Sequence, residues 1–65
     1  MSRETNQEVY FEFRVIDHFM KGTAIDPQTL LEVSIVMPAH LSIDMAKKIL
    51  LQKLKKKIHD SLLLE

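Results

Sequence analysis

Few residues in this chain have the type and spacing needed for covalent chemistry. Asp17 and His18 are the one adjacent acid and base in a predicted strand region. A carboxylate beside an imidazole is the minimum for general acid–base catalysis, but it also needs a pocket and an orienting partner. Ser34, Ser42 and Ser61 stand in no nucleophile motif, and a single glycine, Gly22, cannot build a phosphate-cradling loop. His18, His40 and His59 are spaced far apart, without the close pairing of a metal motif. The sequence has no cysteine, which removes thiolate nucleophiles, Cys-containing zinc sites and disulfides. These residue types predict no catalytic residue, no metal and no cofactor, and the protein reads as a non-enzyme.

One constellation has the chemistry of a binding surface. Formal charge is zero over 65 residues, yet residues 1–35 hold three cations against six acids. Residues 36–65 reverse this, with six lysines against three acids. Lys47, Lys48, Lys53, Lys55, Lys56 and Lys57 lie on one predicted helix, where each phosphate neutralised would add salt-dependent affinity for a polyanion. On a helical wheel Lys48 and Lys55 lie together, Lys56 is far around, and Lys53 and Lys57 flank the other edge of the apolar stripe. They surround the exposed arc and form no ridge. No arginine offers bidentate base contacts there and no aromatic residue offers a stacking surface. Nucleic-acid binding through Lys48, Lys53, Lys55, Lys56 and Lys57 is therefore the second reading.

The elements that position these residues follow from periodicity. Val9, Phe11, Phe13 and Val15 alternate with Tyr10, Glu12, Arg14 and Ile16, which predicts a strand at about residues 9–17. Leu31, Val33, Ile35 and Met37 repeat the pattern and predict a second strand at 30–37, stopped by Pro38. An antiparallel hairpin in which paired numbers sum to 46 sets all four core pairs apolar and places Arg14 opposite Glu32. Residues 18–29 are long for a hairpin connection; they carry Phe19, Met20 and Ile25 and the turn signals Lys21-Gly22 and Asp26-Pro27. Asp26 before Pro27 also reads as the start of a helical turn.

The last element is a helix at 43–63. Ser42 is a good N-cap, Asp44 complements the dipole in the first turn, and Ile43, Ala46, Leu50, Leu54, Ile58 and Leu62 form one apolar stripe. At about 30 Å it is longer than a seven-residue strand of about 23 Å, so the end bearing Ile58 and Leu62 is expected to overhang the sheet. Residues 1–8 read as a flexible polar tail ahead of a single domain at 9–65, with no signal peptide, and Leu64-Glu65 carries no functional weight. No apolar run approaches the roughly 20 residues of a membrane span. The expected location is cytoplasmic.

These elements give a small α+β fold, a β-hairpin followed by one long amphipathic C-terminal helix. A domain this short buries only about 60% of its unfolded surface and usually needs a staple. With disulfide and metal excluded, a second copy is the remaining one. The predicted form is a homodimer with a four-stranded antiparallel sheet and helices on one face. Tyr10, Ile16, Leu30 and Val36 on the outer sheet face, with Ile58 and Leu62 at the helix end, are the interface candidates. The expected function is a non-catalytic protein-interaction or regulatory module that binds a larger protein.

Overall fold

The computed structural model describes residues 8–63. Most of the expected tail and the final Leu64-Glu65 lie outside the described residues. The order is β1 (Tyr10–Ile16), β2 (Phe19–Ile25), β3 (Glu32–Pro38) and α1 (Ile43–Leu63). The fold is α+β, with a three-stranded antiparallel sheet of order β1-β2-β3 followed by one helix. The sheet has one strand more than the expected hairpin.

The extra strand corrects the pairing as well as the count. β2 lies between the two predicted strands, so β1 and β3 never meet and the expected register between them does not form. Arg14 faces Lys21 and not Glu32, and Glu32 faces Ile25. Connections of adjacent strands are now short, as hairpins prefer. Asp17 and His18, the adjacent acid and base, are the turn between β1 and β2. Asp17 takes φ 55°, a conformation that short polar side chains tolerate.

Residues 26–31 close the second hairpin around Asp26. Its carboxylate accepts from Gln28 N–H (3.1 Å) and Thr29 Oγ1 (3.0 Å), and its carbonyl accepts from Leu30 N–H (2.7 Å). The capping role read from Asp26-Pro27 is thus used in a tight loop, without a helix. Leu30, expected in a strand, is instead in this loop at φ 65° and is 78% exposed. Neither its backbone nor its side chain joins the sheet.

The helix covers one sheet face, packing on β2 and β3. Ala46, Leu50 and Leu54, spaced one turn apart, are fully buried against Met20, Ala24 and Met37. Phe11, Phe13, Val33, Ile35 and Ile58 pack around them. Ile58 therefore belongs to the core margin and not to a free helix end, because the helix remains over the sheet to that turn. The overhang begins later: Leu62 and Leu63 are about two-thirds exposed. Ser42 Oγ accepts from Met45 N–H at 3.1 Å, the N-cap bond that its position predicts.

The helix sits close because β2 presents small residues to it. Met20, Gly22 and Ala24 face α1, and a Cβ at Gly22 would lie 2.9 Å from Leu50 Cδ1 and 3.0 Å from Phe13 Cε1. Glycine is needed here for approach, not for an unusual dihedral.

Candidate functional site

The sheet face opposite α1 is open. The register arranges it in four rows: Tyr10, Ile25 and Glu32; Glu12, Thr23 and Ser34; Arg14, Lys21 and Val36; and Ile16, Phe19 and Pro38. The outer rows are largely apolar and the central rows polar. Tyr10, Ile16, Phe19 and Val36 are each more than half exposed. In the centre Thr23 and Ser34 hydroxyls are 3.0 Å apart across the strands. Arg14 and Lys21 stand directly opposite each other, a like-charged pair that a sheet normally avoids. Among the described residues the only ion pair is Lys56 with Asp60, so neither cation is in an ion pair there, with Glu12 the acid that lines the same depression.

The two sheet edges differ. Asp26 N–H donates to Leu31 O and Ala39 N–H donates to His18 O, both at 2.9 Å. These bonds extend the β2–β3 ladder and assign its even-numbered β2 residues to β3. The odd-numbered β2 residues consequently bond to Tyr10, Glu12, Arg14 and Ile16. Phe11, Phe13 and Val15 are left directing N–H and C=O outward from β1. On β3 the outward residues are Glu32, Ser34, Val36 and Pro38. There Lys57 Nζ donates to Glu32 O (2.8 Å), Leu41 N–H donates to Pro38 O (3.1 Å), and Pro38 has no N–H. Both ends of the β3 edge are blocked, whereas among the described residues nothing guards the β1 edge in this way.

With this geometry in hand, comparison with known proteins gives one match. Residues 6–61 match the family described as "Domain of unknown function (DUF6898)". The chain belongs to the DUF6898 family. No curated protein and no solved structure matches it.

In this DUF6898 chain the sequence-predicted residues separate. Tyr10, Ile16 and Val36 do share the open face. Leu30 lies in the loop beyond its end, Ile58 packs on the other side of the sheet, and Leu62 is on the distal helix turn. Phe19, Ile25 and Pro38 complete the face and were not singled out from sequence. The alternation of Phe19, Lys21, Thr23 and Ile25, all compatible with a strand surface, was the signal available for them.

The helix lysines are equally divided. Lys47 Nζ lies 5.4 Å from the centroid of Phe11, Lys56 pairs with Asp60 at 3.4 Å, and Lys57 binds the β3 edge. Lys48 and Lys55 are exposed on one flank, and Lys53 lies beside Lys56 on another. Among the described residues three of the six lysines thus have partners within the DUF6898 chain.

Two depressions lie on the described surface. The depression among Glu12, Arg14, Lys21 and Thr23 encloses about 160 Å³, and another between the Asp26 loop and α1 about 230 Å³. Ligand pockets begin at about 300 Å³. No polar or charged side chain is buried among the described residues, and no three metal-ligating side chains gather there. No described helix is long and apolar enough to cross a membrane.

Proposed function

We propose that this protein is a small non-catalytic interaction module, acting as a homodimer and binding a larger protein through the open face of its sheet. The observation that carries this reading is the exposure of Tyr10, Ile16, Phe19 and Val36 on one face. Apolar surface of this kind on an otherwise ordinary small domain marks a contact site. Arg14 and Lys21, in no ion pair among the described residues, lie between the apolar rows and favour a partner surface that is apolar at its margins and carries a carboxylate near its centre. A reducing cytoplasm suits the cysteine-free composition.

The test compares wild type with a Phe19→Asp, Val36→Asp double variant. Both side chains point away from the core, so circular dichroism is expected to be unchanged. Affinity capture from the native host, with recovered proteins quantified by mass spectrometry, is expected to lose its specific partner with the double variant. Equal recovery by both forms overturns the assigned face.

A further inference from the structure

β1 has the pattern of a strand that pairs with itself. Its sequence, Tyr-Phe-Glu-Phe-Arg-Val-Ile, is chemically symmetric about Phe13. Residues equidistant from that centre are Glu12 and Arg14, Phe11 and Val15, and Tyr10 and Ile16. Opposite charges and apolar pairs are the combinations that stabilise antiparallel neighbours. We infer that the free β1 edge pairs antiparallel with the β1 edge of a second copy, about a twofold axis at Phe13, giving a continuous six-stranded sheet. This deepens the homodimer reading above and rests on it; it also replaces the four-stranded assembly expected from sequence, since each copy brings three strands.

Three independent features agree on this register. Hydrogen-bond parity comes first. Phe11, Phe13 and Val15 carry the outward groups of β1, and in the twofold register Phe13 exchanges bonds with the partner's Phe13 while Phe11 exchanges them with the partner's Val15. A register displaced by one residue would oppose inward-directed groups and form no ladder. Electrostatics comes second. Glu12 and the partner's Arg14 occupy the close, non-hydrogen-bonded positions on the open face, which sets a carboxylate directly opposite Arg14, whose facing residue in its own sheet is Lys21.

Burial is the third. Val15 points to the helix side of the sheet, yet it is 63% exposed because α1 sits over β2 and β3. Pairing places it beside the partner's Phe11. The same offset of α1 leaves the seam clear. With strands about 4.8 Å apart, two helices above the β2–β3 boundaries stand about 20 Å apart, beyond the roughly 8–10 Å of packed helices. The β3 edge cannot substitute, because Lys57, Pro38 and Leu41 occupy or remove its terminal groups.

Charge variants test the register by sedimentation over a concentration series. Glu12→Arg sets arginine opposite arginine at both symmetric positions, and Arg14→Glu sets glutamate opposite glutamate. Each variant alone is expected to self-associate about thirtyfold more weakly than wild type, from two pairs converted from attraction to repulsion. An equal mixture is expected to regain wild-type association as a heterodimer, since every facing pair is again opposite in charge. A misfolded variant would not be rescued by mixing. Val15→Pro removes an outward N–H without touching the β1–β2 ladder and is expected to weaken assembly as a second check. Wild type that stays monomeric at tens of micromolar defeats the dimer reading itself. A wild-type dimer whose charge variants associate equally well, or whose mixture gains nothing, overturns the β1 register while leaving a dimer standing.

Discussion

Replacing Gly22 is the sharpest test of how this fold closes. An alanine Cβ would lie 2.9 Å from Leu50 Cδ1, 3.0 Å from Phe13 Cε1 and 3.1 Å from Met37 Cε, where ordinary contacts are 3.4–4 Å. All three are ends of side chains, so each could yield alone. They must yield together, and Leu50 is fully buried at 0% exposure with Ala24 and Ala46 alongside. Overpacking of this kind costs about 1–3 kcal/mol, and the reduced freedom of the unfolded chain returns about 0.4–1 kcal/mol. Gly22→Ala should therefore lose about 1 kcal/mol, or about 4–8 °C in Tm for a chain of this size. Gly22→Val adds two more methyl groups in the same space and should lose about 3 kcal/mol. Urea and thermal unfolding at matched protein concentration give both values, matched because the Tm of any chain that self-associates depends on concentration. A Gly22→Ala, Leu50→Ala double variant should be less destabilised than the two single losses added, since the truncation opens the space the methyl needs. Gly22→Ala as stable as wild type, or strict additivity in the double variant, would refute the close-approach argument.

Two further outcomes follow from the helix. Ser42→Ala removes the acceptor of the Met45 N–H bond and should lower stability by about 1 kcal/mol in urea unfolding, with Ser42→Gly losing only a few tenths. Titration with duplex and single-stranded nucleic acid at two salt concentrations should give no salt-sensitive binding, because half of the six lysines have partners in the chain and the rest do not share one face. Binding that weakens steeply with salt and is lost in a Lys48→Gln, Lys53→Gln, Lys55→Gln variant would instead favour the polyanion reading.

The helix and two of the strands were legible because their apolar residues repeat with the period of the element. Ser42 marks the helix start, and Ala46, Leu50 and Leu54 recur one turn apart on the side that is buried. Val33, Ile35 and Met37 alternate on the core side of β3 in the same way. β2 was hidden for the opposite reason. Its core face consists of Met20, Gly22 and Ala24, and two of these three carry almost no hydrophobic signal. Glycine beside lysine reads as a turn locally, and only the helix above explains why a small residue is required in a strand. Without β2, pairing β1 directly with β3 gives apolar partners on one face and Arg14 with Glu32 on the other. That hypothetical register satisfied every local rule, so nothing in the two strands alone could reject it. The candidate face is partly legible through Tyr10, Ile16 and Val36; Phe19 and Ile25 lie in residues 18–29, whose glycine and proline read as a connection.

The orientation of β2, small residues inward and large ones outward, also bears on function. Turning this strand over would bring Phe19 and Ile25 to the helix, but it would place Lys21 and Thr23 in the dry interior and push bulk into space that Gly22 keeps open. The chain instead puts its smallest residues under α1 and leaves Phe19 57% exposed on the opposite face. Folding of one copy gains little from a phenylalanine in that position, and solubility loses by it. Local rules broken in this way concentrate where a protein meets something else. Phe19 adjoins Ile16 and Pro38 in the same row, and twofold pairing at Phe13 would bring the partner's Tyr10 beside Ile16. The small residues that seat the helix and the large ones that face outward are thus two consequences of one choice of strand orientation. A partner that covers the outer rows would bury the side chains that this orientation leaves in water.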